Sequence, residues 1–125
     1  GIEEKDINHD KYLKVIKMAE LHDYEKFHSS TKVIGNFGKN ISGGQLQRIG
    51  IARSLYFDKE IMIFDESTSS LDRETEEKII NNISNANLGK TIIIVSHRIE
   101  NLKNCSKIYE INNGFVNLKK ISNIQ

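Results

Sequence analysis

Ile-Met-Ile-Phe-Asp-Glu, residues 61–66, decides the fold, because four apolar residues are followed directly by two acids. A short apolar run of this kind is typical of a strand buried on both faces, as the strands of parallel sheets are. A second such run occupies residues 91–95, and Asp72 lies between the two as a good N-cap for a helix to about Ala86. Strand, helix and strand within about 35 residues predict a βαβ unit with parallel strands and a right-handed crossover.

Helical spacing of apolar residues extends from about residue 10 to 28, where Asp23 is placed to cap a short second helix, and again from about residue 43 to 56. The apolar residues at helical spacing are Tyr12, Leu13, Ile16, Ala19, Tyr24 and Phe27 in the first pattern, and Leu46, Ile49, Ala52 and Tyr56 lie on one face of the second. Residues 29–40 contain glycines and predict a loop. Asn113-Gly114, between two apolar stretches, predicts a β-hairpin. The fold class is therefore α/β, with an N-terminal helical portion and a C-terminal hairpin.

Composition narrows the function classes. The chain has 125 residues, of which 38% are hydrophobic and 28% charged, so it contains one small core. Its net charge of +1 provides no electrostatic basis for binding nucleic acid, and no nucleic-acid partner is expected. The single cysteine, Cys105, excludes an internal disulfide and fits a half-buried structural position. No apolar run approaches the roughly 18 residues of a membrane span.

Polar side chains follow both predicted strands at the edge where ligands of parallel sheets bind. Asp65 and Glu66 end one strand, and His97 follows the other. Successive residues of a strand point in opposite directions, so the two acids should have different tasks. One carboxylate suits a hydrated Mg²⁺, and the other suits orienting or deprotonating a water molecule. The alternative, that these residues merely end a strand and begin a loop, stays open at this point.

A second candidate site is Ser42-Gly43-Gly44-Gln45, at the start of a predicted helix. Ser-x-x-Gln is the pattern of a capping box, in which each side chain accepts a hydrogen bond from the other residue's backbone. The glycines are not explained by capping, since each costs about 1 kcal/mol relative to alanine inside a helix. They indicate that something large approaches the backbone, and a phosphate is the natural ligand of a helix N-terminus.

Four short motifs follow one another along the chain. They are Ile41-Ser42-Gly43-Gly44-Gln45 with Gln47-Arg48 and the helix containing Ile51-Ala52-Arg53-Ser54-Leu55; residues 61–66; Ser69-Ser70-Leu71-Asp72; and Ser96-His97-Arg98. In that order they resemble the signature motif, the Walker B strand with its catalytic glutamate, the D-loop and the switch-histidine loop of ABC transporter ATP-binding domains. The resemblance extends from about Asn8 to Leu118 and implies part of a P-loop NTPase core with parallel strands.

This resemblance implies roles for particular residues and implies ATP and Mg²⁺ as cofactors. Asp65 would hold the Mg²⁺ through water, Glu66 would act as general base or orient the attacking water, and His97 would contact the γ-phosphate. Ser42, Gly43, Gly44 and Gln45 would bind the ATP of the opposite subunit, and Ser70 and Asp72 would cross the interface of a head-to-tail dimer of such domains. Membrane domains, fused in the same polypeptide, would place the domain at the cytoplasmic face of the cell membrane.

Other details favour an ABC exporter, in which ATP hydrolysis drives export or flipping of a substrate. The run from Asp65 to Asp72 and the pair His97-Arg98 resemble the exporter versions of these motifs. We expect residues 1–58 to form the helical subdomain with the signature motif, and residues 59–125 to form the C-terminal part of the ATPase core. The alternatives are a non-transport ABC ATPase, such as a repair or translation factor, and a regulatory module that does not hydrolyse ATP. The transported substrate and the pairing with an identical or a different chain stay open.

The sequence contains no G-x-x-x-x-G-K-[ST] motif. We therefore expect the chain to begin inside the helical subdomain, to lack the P-loop, and to be inactive by itself. In the family, the P-loop strand lies between the histidine strand and the first strand of the hairpin. Its absence would leave sheet edges that favour self-association into a dimer.

Overall fold

The computed structural model describes residues 3–22, 41–68, 70–86 and 89–119. Within these ranges the helices and strands follow the order α1 (His9–Met18), α2 (Gly43–Phe57), β1 (Ile61–Asp65), α3 (Arg73–Asn85), β2 (Thr91–Val95), β3 (Ile108–Asn112) and β4 (Phe115–Lys119). Short 3₁₀ turns occupy Glu4–Asp6 and Ile99–Leu102. The predicted α/β class is confirmed. No helix in the described ranges is long and apolar enough to cross a membrane.

Strands β1 and β2 pair in parallel, from Ile61 opposite Thr91 to Asp65 opposite Val95. Helix α3 connects them, so the predicted βαβ unit is confirmed. The ladder continues past the last pair, because the Glu66 amide donates to the Val95 carbonyl over 3.1 Å. The two strands therefore end level with each other, and the residues that follow them lie at one edge of the sheet.

The predicted hairpin is also present, with β3 and β4 antiparallel. Asn113 and Gly114 both have positive φ, 50° and 79°, as the two central residues of a type I′ turn must. In the described part of the chain this hairpin forms a sheet separate from that of β1 and β2. The strands of the described ranges thus form two sheets of two strands each.

Each helix begins at a capping side chain. The side chain of Asn8 accepts from the Lys11 amide at the start of α1, and Ser42 and Asp72 cap α2 and α3. Helix α1 ends at Met18, and Glu20 has a left-handed backbone with φ of 53°. The predicted continuation to residue 28, with its short second helix, and the loop at 29–40 lie outside the described residues.

One apolar core joins α1, α2, β1 and α3. Helix α3 buries Ile79, Ile80 and Ile83. The apolar patterns of α1 and α2 are buried only in part, because Leu13 is exposed and Leu46 is 60% exposed. Ile16, Ala19 and Ala52 of these patterns are buried, together with Val15, Met18, Ile51 and Leu55. Helical spacing defines an apolar stripe, but contact between helices decides which part of it is covered. The domain boundary at residue 58 stays a prediction, and the core contains residues from both sides of it.

Burial of β1 and β2 on both faces is not observed. Met62 and Phe64 lie in the core, whereas Ile63 is 65% exposed and Ile93 is also exposed. The alternation arises because, among the described residues, the helices cover only one face of this sheet. The continuous apolar composition of β1 and β2 therefore leaves an exposed apolar face on the other side.

Candidate functional site

Glu66 and His97 meet at the carboxyl edge of the β1–β2 sheet. The His97 Nε2 atom lies 2.9 Å from Glu66 Oε1, and the His97 side chain is largely exposed to solvent. Glu66 directly follows the end of β1. His97 lies two residues after the end of β2, with Ser96 between Val95 and His97. Parallel pairing places the residues that follow both strands at one edge, where this acid and this imidazole lie within hydrogen-bonding distance.

The chain changes direction at Glu66, which has a left-handed backbone with φ of 44°. Asp65 is still part of β1 and is exposed, whereas Glu66 has left the strand. The two neighbouring carboxylates therefore occupy different environments. Alternation along a strand predicted that the side chains of Asp65 and Glu66 point in different directions. The turn in the backbone at Glu66 also contributes to this difference. Their separate chemical roles stay a prediction.

At the start of α2, Ser42 and Gln45 form the predicted capping box. Ser42 Oγ accepts from the Gln45 amide over 3.2 Å, and the Ser42 amide donates to Gln45 Oε1 over 3.0 Å. The amides of Gly43 and Gly44 belong to the first turn, where helix geometry provides no intrahelical acceptor. The helix N-terminus therefore combines a fixed serine hydroxyl with two backbone donors.

The two glycines of this turn have different environments. A β-carbon at Gly44 would lie 3.2 Å from both Leu71 Cδ2 and the Ser70 carbonyl oxygen. Close packing within the chain is therefore one reason for glycine at position 44, in addition to the predicted approach of a ligand. A β-carbon at Gly43 would come no closer than 3.9 Å to Ser70. Packing among the described residues gives no reason for glycine at position 43.

An open cleft of about 390 Å³ lies beside this helix start. Its lining comprises Ser42, Gly43, Gly44, Arg48, Ser70, Leu71, Asp72 and Thr75. Gln47 Oε1 accepts from the Ser70 amide over 3.0 Å, which ties the cleft's second wall to α2. Five of the predicted site residues thus share one cleft, whose lining includes neither Glu66 nor His97. Gln45 is engaged in the capping box instead.

Asp72 caps α3 and lines the cleft at the same time. Its Oδ1 accepts from the Thr75 amide over 2.9 Å. The hydrogen bond from the Thr75 backbone, followed by that from its side chain, lowers the pKa of Asp72 below its usual range. Asp72 is therefore ionised at neutral pH and adds a fixed negative charge to the cleft wall.

The donors at the sheet edge fit Mg²⁺ in part. Mg²⁺ prefers oxygen ligands and usually keeps several waters, with one or two carboxylates and substrate phosphates completing its shell. The exposed carboxylate of Asp65 suits such a hydrated ion. Within the described ranges, no group of three or more His, Cys, Asp or Glu side chains forms a metal cage. The protein by itself would therefore supply only a minority of the ligands.

A buried polar network centred on Glu76 was not predicted from the sequence. Glu76 is 2% exposed, and its carboxylate accepts hydrogen bonds from the side chains of Thr68, Arg98 and Asn101. A signal was present in the sequence, because Glu76 interrupts the apolar stripe of α3 at helical spacing from Ile79, Ile80 and Ile83. A charged residue on an inward face needs buried partners.

A parallel βαβ unit with an acid and an imidazole at its carboxyl edge, together with a glycine-containing helix start, is an arrangement suited to phosphate ligands. The profile of the ABC transporter family matches residues 4–69, just over half of the chain. This match includes the cleft residues of α2 and the two acids that end β1. The chain belongs to the ABC transporter family.

Particular relatives are similar over most of the chain. The alpha-hemolysin translocation ATP-binding protein HlyB of Escherichia coli O157:H7 is 40% identical over 106 residues, which cover 83% of this chain and 15% of the relative. The toxin RTX-III translocation ATP-binding protein of Actinobacillus pleuropneumoniae is 40% identical over 102 residues, 80% of this chain and 14% of the relative. The leukotoxin translocation ATP-binding protein LktB of Mannheimia glucosida is 36% identical over 116 residues, 91% of this chain and 16% of the relative. The chain thus spans about 15% of the length of these relatives.

Proposed function

We propose that this chain is part of the ATP-binding domain of an ABC exporter that couples ATP hydrolysis to moving a substrate across a membrane. The observation that carries the proposal is the contact of 2.9 Å between Glu66 Oε1 and His97 Nε2 at the carboxyl edge of the sheet. The names of the relatives, all translocation ATP-binding proteins, support the exporter type.

Glu66 and His97 have different chemical roles at the sheet edge. The Glu66 carboxylate accepts a hydrogen bond from the attacking water and acts as general base or orients that water. The His97 imidazole, hydrogen-bonded to Glu66, presents its exposed ring toward the γ-phosphate. Asp65 would hold the hydration shell of a Mg²⁺ ion, which would supply positive charge to neutralise the phosphates.

The cleft beside α2 serves a different ATP molecule, the one held by a second ATP-binding domain. The Ser42 hydroxyl and the first-turn amides of Gly43 and Gly44 donate toward its γ-phosphate, favoured by the dipole of α2. Gln45 maintains this geometry through the capping box. Ser70 and Asp72 on the other wall contact the partner domain. This arrangement implies a head-to-tail dimer and membrane domains in the same polypeptide, at the cytoplasmic face of the membrane.

The chain by itself is inert in this proposal. Its sequence contains no P-loop motif, so the lysine and the backbone nest that hold the β- and γ-phosphates must come from another segment. Without them, Glu66 and His97 have no fixed phosphate to act on.

The proposal is tested by measuring Mg²⁺-dependent ATP hydrolysis in the full-length protein and in its Glu66→Gln variant. Gln keeps the size of the side chain and removes the base, so kcat should fall by about 10²–10⁴-fold. Glu60→Gln is the matched control, because Glu60 is an exposed acid just before the same strand and should leave kcat unchanged. Equal activity in the Glu66→Gln variant would contradict the role of Glu66. Metal-dependent turnover by the 125-residue chain, absent in Glu66→Gln, would contradict its proposed inertness.

A further inference from the structure

Glu76 is a buried carboxylate that the proposed mechanism does not use. Within the described ranges the buried polar or charged residues are Thr68, Glu76 and Asn101, and all three belong to one hydrogen-bonded network. Glu76 Oε1 accepts from Thr68 Oγ1 over 2.5 Å and from Asn101 Nδ2 over 2.7 Å, and Oε2 accepts from Arg98 Nη1. Both carboxylate oxygens are therefore satisfied.

The network extends into the loop that carries His97. Asn101 Nδ2 also donates to Ser96 Oγ over 3.1 Å, and the Arg98 amide donates to the same oxygen over 3.0 Å. Ser96 and Arg98 are the two neighbours of His97 in the chain. The backbone on each side of His97 is thus held by a network that ends on the Glu76 carboxylate.

The same carboxylate also holds the loop that follows β1. Thr68 lies two residues after Glu66, and its hydroxyl donates to Glu76. Glu66 and His97 themselves have exposed side chains, with little surrounding protein to fix them. One helix side chain, that of Glu76, accepts donors from both loops.

Stability by itself does not explain a carboxylate at this place. A buried ion pair is often no more stabilising than apolar residues of similar volume, and the neighbouring inward positions of α3 carry isoleucine. A carboxylate can satisfy donors from three different segments at once, which an apolar side chain cannot do.

We propose that Glu76 is a positioning residue that fixes the loops after β1 and β2, so that Glu66 and His97 stay in hydrogen-bonding contact. The expected effect of Glu76 on kcat rests on the proposed ATPase function, whereas its expected effect on the two loops does not. Glu76 acts through Thr68, Arg98 and Asn101 and touches no reacting atom.

The structural consequence is tested by nuclear magnetic resonance on the 125-residue chain without nucleotide. In Glu76→Gln, an amide group replaces one acceptor oxygen and faces donors, so the loops should loosen. The nuclear Overhauser contact between His97 ring protons and the Glu66 side chain should be lost, and the Arg98 amide should exchange about tenfold faster with solvent. The Phe64 amide in the core reports global stability and should change much less. Glu77→Gln, an exposed neighbour on the same helix, is the matched control.

Two further variants keep the inference testable if Glu76→Gln does not fold. Thr68→Val removes one donor, keeps the branched shape and leaves the carboxylate paired with Arg98 and Asn101. It should weaken the contact between Glu66 and His97 to a smaller extent. The swap Glu76→Gln with Asn101→Asp returns a carboxylate to the centre of the network and should restore that contact in part. If the contact and the Arg98 exchange rate are unchanged in Thr68→Val and in Glu76→Gln, the inference is wrong.

The catalytic consequence is tested in the full-length protein. Misplaced catalytic groups lower the rate of the chemical step, so Glu76→Gln should reduce kcat by roughly 10- to 100-fold with little change in KM for ATP. The swap variant should recover part of kcat. A wild-type protein without ATPase activity would overturn the proposed function, and the resonance measurements would still decide the role of Glu76. A normal kcat in Glu76→Gln, in an active protein, would overturn the positioning role.

Discussion

Replacing Gly44 by alanine tests the packing of helix α2 against the segment before α3. A β-carbon at this position would lie 3.2 Å from Leu71 Cδ2 and from the Ser70 carbonyl oxygen. Neither neighbour is free to move away: Leu71 is buried, and the Ser70 and Leu71 amides are held by Gln47 Oε1 and by the Thr68 carbonyl. Forced repacking of this kind costs about 1–3 kcal/mol.

Two other glycines in the same helix separate this cost from helix propensity. At Gly43, in the same turn, the nearest atoms to an added β-carbon lie at 3.9 Å, which is ordinary contact. At Gly50, no atom of the described chain comes within 4 Å. Gly50→Ala should therefore stabilise the fold by about 0.5–1 kcal/mol, the usual gain of alanine over glycine inside a helix. Gly43→Ala should be close to neutral.

The assay is urea unfolding of the chain and its three variants, followed by far-ultraviolet circular dichroism. With a slope of roughly 1–3 kcal/mol per molar urea, Gly44→Ala should unfold at a midpoint about 1 M below that of Gly50→Ala. The urea midpoint of Gly44→Ala should also lie below that of Gly43→Ala. Equal midpoints for Gly44→Ala and Gly43→Ala would refute the packing explanation of Gly44, and the predicted approach of a ligand would be the remaining reason for this glycine.

Three other predictions concern charge, burial and association. Folding lowers the pKa of Asp72, so its charge stabilises the fold above the ordinary aspartate pKa, and this contribution is lost as pH falls through the lowered pKa. At neutral pH the wild-type chain should therefore unfold at a higher urea concentration than Asp72→Asn. The difference between the two midpoints should disappear in acid. Burial raises the pKa of the Cys105 thiol, so at neutral pH iodoacetamide should modify the folded chain more slowly than the urea-unfolded chain; equal rates would contradict this. The exposed apolar face of β1 and β2 should cause concentration-dependent dimerisation, weakened in Ile63→Lys, and light scattering that shows only monomer at high concentration would count against it.

The βαβ unit was predictable because each boundary has a local chemical cause. Asp72 begins α3 by accepting from the Thr75 amide, and the two acids of residues 61–66 follow the apolar run of β1. Parallel strands then bring Glu66 and His97 to one edge, because the residues that follow level strand ends lie side by side. The contact between these two residues follows from local sequence and topology together.

Features that depend on contacts between distant segments were not predictable. Whether Leu46 or Leu55 faces the core depends on how α1 lies against α2, and helical spacing permits either. The reason for Gly44 lies in Ser70 and Leu71, which the sequence separates from it by a strand. The partners of Glu76 come from two loops, so the apolar stripe indicates that the acid needs partners but does not identify them.

The left-handed backbone of Glu66 sets stability against activity at a single position. A glutamate with φ of 44° is held in a conformation that glycine and asparagine adopt at lower cost. Glu66→Gly or Glu66→Asn should therefore relieve local strain and give a chain that resists unfolding better, while the carboxylate beside His97 is gone. Selection for expression or heat resistance alone would favour glycine or asparagine at position 66. Retaining glutamate there requires selection on turnover.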